Sequence, residues 1–196
     1  MKNVFPLLAI LFAASTTTVF AHPGHEVASG AVAGFMHPLT GLDHLIALVC
    51  VGALLAGTSR RVQWQGLVSL VGALAVGATL GLAGLVVPAA EWMIALSVLV
   101  AGLVLLTSDI RERPMRLFSG FAVFALFHGY AHGVEATGAS TVFVLAFLAA
   151  SASVVGIAIV ATASVRVHVT RVALGVSATV VGAVLLFSAM DLHTVF

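Results

Sequence analysis

Met36-His37-Pro38-Leu39-Thr40-Gly41-Leu42-Asp43-His44 sits inside a long apolar run and breaks it with two histidines, an aspartate, a proline and a glycine. At the centre of a bilayer a charged carboxylate costs at least ~2.5–3.5 kcal/mol, so ionisable groups at that depth mark a pathway or a bound ligand. His37 and His44 are seven residues apart, which in a regular helix puts them on one face, two turns from each other. Asp43 projects roughly 100° round from His44 in the same helix. Pro38 removes a backbone donor and disfavours helical geometry at His37, and Gly41 adds freedom. A kinked opening that swings Asp43 towards the histidine face is the expectation. Backbone freed by such a break is tolerated in lipid only where protein or a water-filled cavity covers it.

A second interruption, Phe127-His128-Gly129-Tyr130-Ala131-His132-Gly133-Val134-Glu135, lies in a later apolar run. His128, His132 and Glu135 fall at i, i+4 and i+7, a single helical stripe. A first-row divalent cation stripped of water needs negative charge and directional nitrogen donors. Asp43 and Glu135 supply the charge, and His37, His44, His128 and His132 supply the imidazoles. Imidazole suits nickel, cobalt, zinc and copper(II), whereas soft thiolate or thioether clusters would select copper(I). The one cysteine, Cys50, excludes thiolate-rich sites and intrachain disulfides.

The chain of 196 residues is 61% hydrophobic and 8% charged, with a mean hydropathy of +1.21. Soluble domains carry about 25% charged residues, so the composition is that of an all-α integral membrane protein. A formal net charge of +1 gives no footprint for a nucleic-acid partner.

Residues 1–21 read as a cleaved secretory signal peptide: Lys2, an apolar stretch from Phe5 to Ala14, then Val19-Phe20-Ala21 at the cleavage site. Residues 22–29 form a short polar tail, in which His22 and His25 either capture metal or are simply solvated. Residues 30–196 form the transmembrane domain. Six runs there approach the ~20 apolar residues needed to cross hydrocarbon: about Gly30–Gly57, Trp64–Val87, Trp92–Thr107, Leu117–Glu135, Thr141–Val165 and Val172–Met190.

All seven arginines fall in alternate loops: Arg60 and Arg61, then Arg111, Arg113 and Arg116, then Arg166 and Arg171. The positive-inside rule assigns those loops to the cytoplasm. The expected location is therefore the bacterial inner membrane, with both mature termini periplasmic. Trp64 and Trp92 stand at span starts, where an aromatic belt would put them. Spans one and four then run in opposite directions, the parity of a 3+3 inverted repeat. Counted from the periplasmic ends, His37 and His132 lie shallow, and Asp43, His44 and His128 lie deeper. Glycines four apart (Gly30/Gly34, Gly77/Gly81, Gly129/Gly133) would let helix backbones approach closely. His168 reads as a solvated loop residue, and Asp191 and His193 as interfacial.

The two interruptions resemble the signatures of the HupE/UreJ family of membrane proteins. The first-span pattern, a histidine, five residues, then Asp-His, is matched by His37, Asp43 and His44. The fourth-span pattern, Phe-His-Gly-x-Ala-His-Gly-x-Glu, is matched by Phe127, His128, Gly129, Ala131, His132, Gly133 and Glu135. NiCoT-type nickel/cobalt permeases carry a motif related to the first. The resemblance implies a secondary permease that supplies nickel to hydrogenase or urease maturation, with cobalt as the competing substrate. On that reading the metal is cargo and no prosthetic group is needed. No nucleotide-binding loop of the form G-x-x-x-x-G-K-[ST] occurs, so import would be driven without ATP. A membrane metalloenzyme or haem protein is the alternative class. It finds little support, since H-E-x-x-H and an evident nucleophile–base set are both missing from the sequence.

Overall fold

The computed structural model describes residues 28–107, 114–136, 140–164 and 167–193. The expected signal peptide, His22 and His25 lie outside them. Among the described residues the chain is all-helical: α1 Ala28–Thr40, α2 Leu42–Leu55, α3 Arg60–Leu82, α4 Ala90–Thr107, α5 Pro114–Glu135, α6 Ser140–Ala163 and α7 Val167–His193. Five stretches are each long and apolar enough to cross a membrane: α3, α4, α6, Leu117–Glu135 of α5 and Val169–Met190 of α7. Helices α1 and α2 reach that length only as a pair, bent by 72° at Gly41. The molecule is a multi-pass membrane protein in which five helices could each cross unbroken, and the bent α1–α2 pair stands where the sequence predicts a continuous first span.

Local chemistry sets these boundaries. Helix α3 begins earlier than the apolar run because Ser59 caps it, its hydroxyl accepting from the Val62 N–H at 3.4 Å. The helix ends at Leu82, although Leu85-Val86-Val87 continue the apolar run. Gly84 adopts a φ of +73°, and the Leu85 N–H reaches back to the Leu80 carbonyl at 3.3 Å, the closing bond of a Schellman turn. The Tyr130 hydroxyl fastens the chain beyond that turn, donating to the Leu85 carbonyl at 2.7 Å and accepting from the Val87 N–H at 3.0 Å.

Helices pair closely as α3 with α5, α4 with α7, and the bent pair α1–α2 with α6. Small residues make this possible. A β-carbon on Gly77 or Gly81 would overlap the Leu126 or Tyr130 carbonyl of α5, and one on Gly129 or Gly133 the Leu74 or Ala78 carbonyl of α3. Gly34 meets the Phe143 carbonyl of α6 in the same way. Lipid gives no hydrophobic drive between helices, so backbone approach and dispersion hold them instead. The large buried side chains Leu48, Leu54, Leu55, Leu74, Val98, Phe147 and Val155 fill the space between the pairs.

Candidate metal centre

The break in the first apolar run places the first two histidines. At the end of α1 the Thr40 hydroxyl folds back on the last turn, shared between the Met36 and His37 carbonyls at 3.2 and 3.1 Å, and the Gly41 N–H also reaches the His37 carbonyl at 3.0 Å. Pro38 is buried just before the break. Beyond Gly41 the chain restarts, with Asp43 and His44 in the first turn of α2. His37 and His44 therefore sit on either side of a bend, and both face the α5 stripe.

On α5 the repeat His-Gly-x-x-His-Gly turns two faces to two neighbours. Gly129 and Gly133 lock against α3. One residue earlier, and so about 100° round the helix, His128 and His132 face the bend. At the C-terminal end of α5, the Glu135 carboxylate receives His37 Nε2 at 3.0 Å and His132 Nδ1 at 3.3 Å through one oxygen, Oε2. Further in, His44 and His128 meet Nδ1 to Nδ1 at 3.1 Å. The His44 ring also stands edge-on to His132, their centroids 4.8 Å apart.

Among the described residues two groups bring three donor atoms within 4.8 Å of one another: His37, His132 and Glu135, and His44, His128 and His132. His132 belongs to both. The groups differ in access: the Glu135 and His37 side chains are 56% and 34% exposed, while His44 and His128 are 2% and 4% exposed. The sequence reading placed His37 and His132 shallow and Asp43, His44 and His128 deeper; by exposure His37 and Glu135 stand apart from His44 and His128, while His132, 8% exposed, joins both groups. Asp43 belongs to neither group; it stays half-buried, with its Oδ1 folded back towards Gly41.

Two nitrogens bound to one first-row cation at ~2.0–2.1 Å stand ~2.8–3.0 Å apart at a right angle and ~3.3–3.4 Å apart in a tetrahedron. The 3.1 Å between the two Nδ1 atoms lies between these values, so the deep pair is set close to the span that an ion would require.

Three further residues complete the centre, and the sequence reading did not single them out. Ser97 of α4 lies 2.7 Å from His128 Nε2, and Ser151 of α6 lies 3.2 Å from His44 Nε2. Phe147 of α6 closes one side, its ring 4.5 Å from that of His132 and 5.2 Å from that of His44. For the two serines the available signal was a hydroxyl in an apolar span, which does not say what it will meet. A cavity of about 20 Å³ lies beyond the deep pair, lined by His44, His128 and Ser97 and then by apolar side chains including Val51, Leu70 and Phe121. A smaller one, about 10 Å³, continues past those last three towards Phe118 and Leu55.

Residues 9–185 match the family described as HupE / UreJ protein. The chain is also similar to Protein HupE of Rhizobium leguminosarum bv. viciae, 36% identical over 133 residues that cover 67% of this chain and 69% of that protein. No solved structure matches.

Proposed function

The chain belongs to the HupE/UreJ family, and from that premise we propose that it is a secondary permease importing nickel(II) across the bacterial inner membrane. Cobalt(II) is the competing cargo, and no step of catalysis is assigned to the protein. The bent α1–α2 pair serves as the first of six spans, and both mature termini are periplasmic. The observation that carries this reading is the sharing of His132 between an exposed group and a buried one.

In the proposed path the ion meets Glu135 and His37 first, where a carboxylate offsets part of its charge at the cost of little desolvation. His132 links the two stages, because its ring belongs to both groups. His44 and His128 then hold it, with Asp43 contributing negative charge nearby. The apolar walls at Val51, Leu70 and Phe121 close the far side and must part for release. Exchanging the two halves of the chain maps the close partners α3–α5 and α6–α1/α2 onto each other and α4–α7 onto itself. That is the pairing an inverted repeat requires, and rocking between such repeats is a common route to alternating access.

The membrane potential suffices as a drive. Two charges at ~2.3 kcal/mol each per 100 mV give ~4.6 kcal/mol, roughly three decades of accumulation. Uptake of radioactive nickel by cells expressing the protein, with cobalt, zinc and copper as competitors, tests the assignment. Cobalt is expected to compete most strongly; uptake no greater than in cells lacking the protein would end the proposal.

A further inference from the structure

Each histidine of the deep pair has a serine on its far nitrogen, and the path above uses neither serine. Ser97 has two contacts. Its Oγ lies 2.6 Å from the Ile94 carbonyl oxygen and 2.7 Å from His128 Nε2. A hydroxyl carries one proton, and a carbonyl oxygen has none to give. The Ser97 proton is therefore committed to Ile94, and its oxygen meets His128 as an acceptor. That assigns the hydrogen of a neutral His128 to Nε2 and leaves Nδ1 bare, facing His44. In the ion-free state His44 donates its Nδ1–H across the 3.1 Å gap, and its own Nε2 accepts from Ser151 at 3.2 Å. This assignment leaves none of these buried nitrogens unpaired.

The geometry points to Ser97 as the residue that decides which nitrogen the deep site offers: it holds His128 in the Nε2–H form, so Nδ1 is presented before any ion arrives. Ser151 has the complementary task. An ion placed between the two Nδ1 atoms requires one proton to leave His44 Nδ1 and one to occupy its Nε2, the ring staying neutral, and the Ser151 hydroxyl turns from donor to acceptor. Ser97 and Ser151 are positioning residues that act through the imidazoles, and their roles rest on the reading of His44 and His128 as ligands. Partners that orient a ligand ring are commonly worth 10–100-fold in metal affinity. Without Ser97 an Nε2–H would face apolar α4 unpaired and buried, which is costly, whereas an Nδ1–H would still find His44. His128 should therefore change tautomer.

The test is nitrogen NMR of the purified full chain labelled at histidine, with His128→Gln used to assign the His128 signals, alongside calorimetric titration with nickel chloride. Wild type is expected to show a protonated Nε2 and a bare Nδ1 at His128. Ser97→Ala is expected to move the proton to Nδ1 and weaken nickel binding roughly 10–100-fold, and Ser97→Thr to restore both. Ser97→Cys, a weak partner of similar size, covers the case in which the alanine variant does not fold and should bind with intermediate affinity. An unchanged tautomer in Ser97→Ala, or wild-type affinity in Ser97→Ala or Ser97→Cys, overturns the assignment. His128→Ala separates the two levels: if it binds nickel as wild type does, the ligand reading fails. If it abolishes binding while Ser97→Ala changes nothing, only the role of Ser97 falls.

Discussion

His44 and His128 face each other through the same ring atom, Nδ1 to Nδ1 at 3.1 Å, from helices that are far apart in sequence. Both are buried, and the described residues around them offer no carboxylate within the same three-atom group. A pair held this way serves an ion or serves packing. The difference is measurable: His44→Ala and His128→Ala should each reduce nickel uptake to the level of cells lacking the protein, with the variant still present in the membrane fraction. Uptake near wild type in both variants would leave the pair as packing residues.

Glu135 bonds two histidines through one oxygen and is more than half exposed. Its loss should weaken capture more than transfer. Glu135→Gln keeps the shape and removes the charge, so the concentration for half-maximal uptake should rise by roughly tenfold, equivalent to ~1.4 kcal/mol, with the maximal rate less affected. Uptake measured across nickel concentrations separates the two effects. A fall in maximal rate alone would place Glu135 elsewhere in the cycle.

The glycines of α5 hold its histidines in place by letting α3 approach. Gly129→Ala and Gly133→Ala each push a methyl group into an α3 carbonyl, and overpacking of this kind costs typically ~1–3 kcal/mol. Lower thermal stability in detergent and lower uptake are expected together. Gly156→Ala is the control, because nothing lies within 4 Å of its would-be β-carbon, and it should be silent in both assays.

Protons compete with the ion for imidazole. Only the neutral ring binds metal, and an ordinary imidazole, titrating near ~6.5, is about tenfold less available at a pH one unit lower. Affinity for nickel should therefore fall as pH drops from about 7.5 to about 5.5 by no more than about tenfold for each ring that water reaches, because the buried His44 and His128 enter the account neutral. Titration of the purified protein at the two pH values checks this. A fall of a hundredfold or more would contradict a buried pair that is neutral before the ion arrives.

The stripe of His128, His132 and Glu135 was legible in sequence because helical periodicity alone puts i, i+4 and i+7 together. The break at Gly41 was legible from Pro38 and Gly41, but its angle of 72° was not. That angle depends on how α1 and α2 both pack against α6. Hydropathy extended the second span to Val87, whereas the helix stops at Leu82, because an apolar Leu85-Val86-Val87 reads the same in a helix or in a loop that Tyr130 pins. Ser97, Ser151 and Phe147 could not be placed beforehand, since each belongs to the centre only through contacts between distant helices. Of the six buried polar residues described, His44, His128, His132, Ser97 and Ser151 belong to the centre, leaving Thr162 apart.

The shared ring of His132 is the most direct point of attack. Purified wild type and His132→Ala, reconstituted into liposomes with an inside-negative potential, should differ sharply in uptake of radioactive nickel. Wild type should accumulate it against its gradient, and the variant should stay at the level of empty liposomes. Accumulation by His132→Ala at the wild-type rate, or none by folded wild type, would contradict the account.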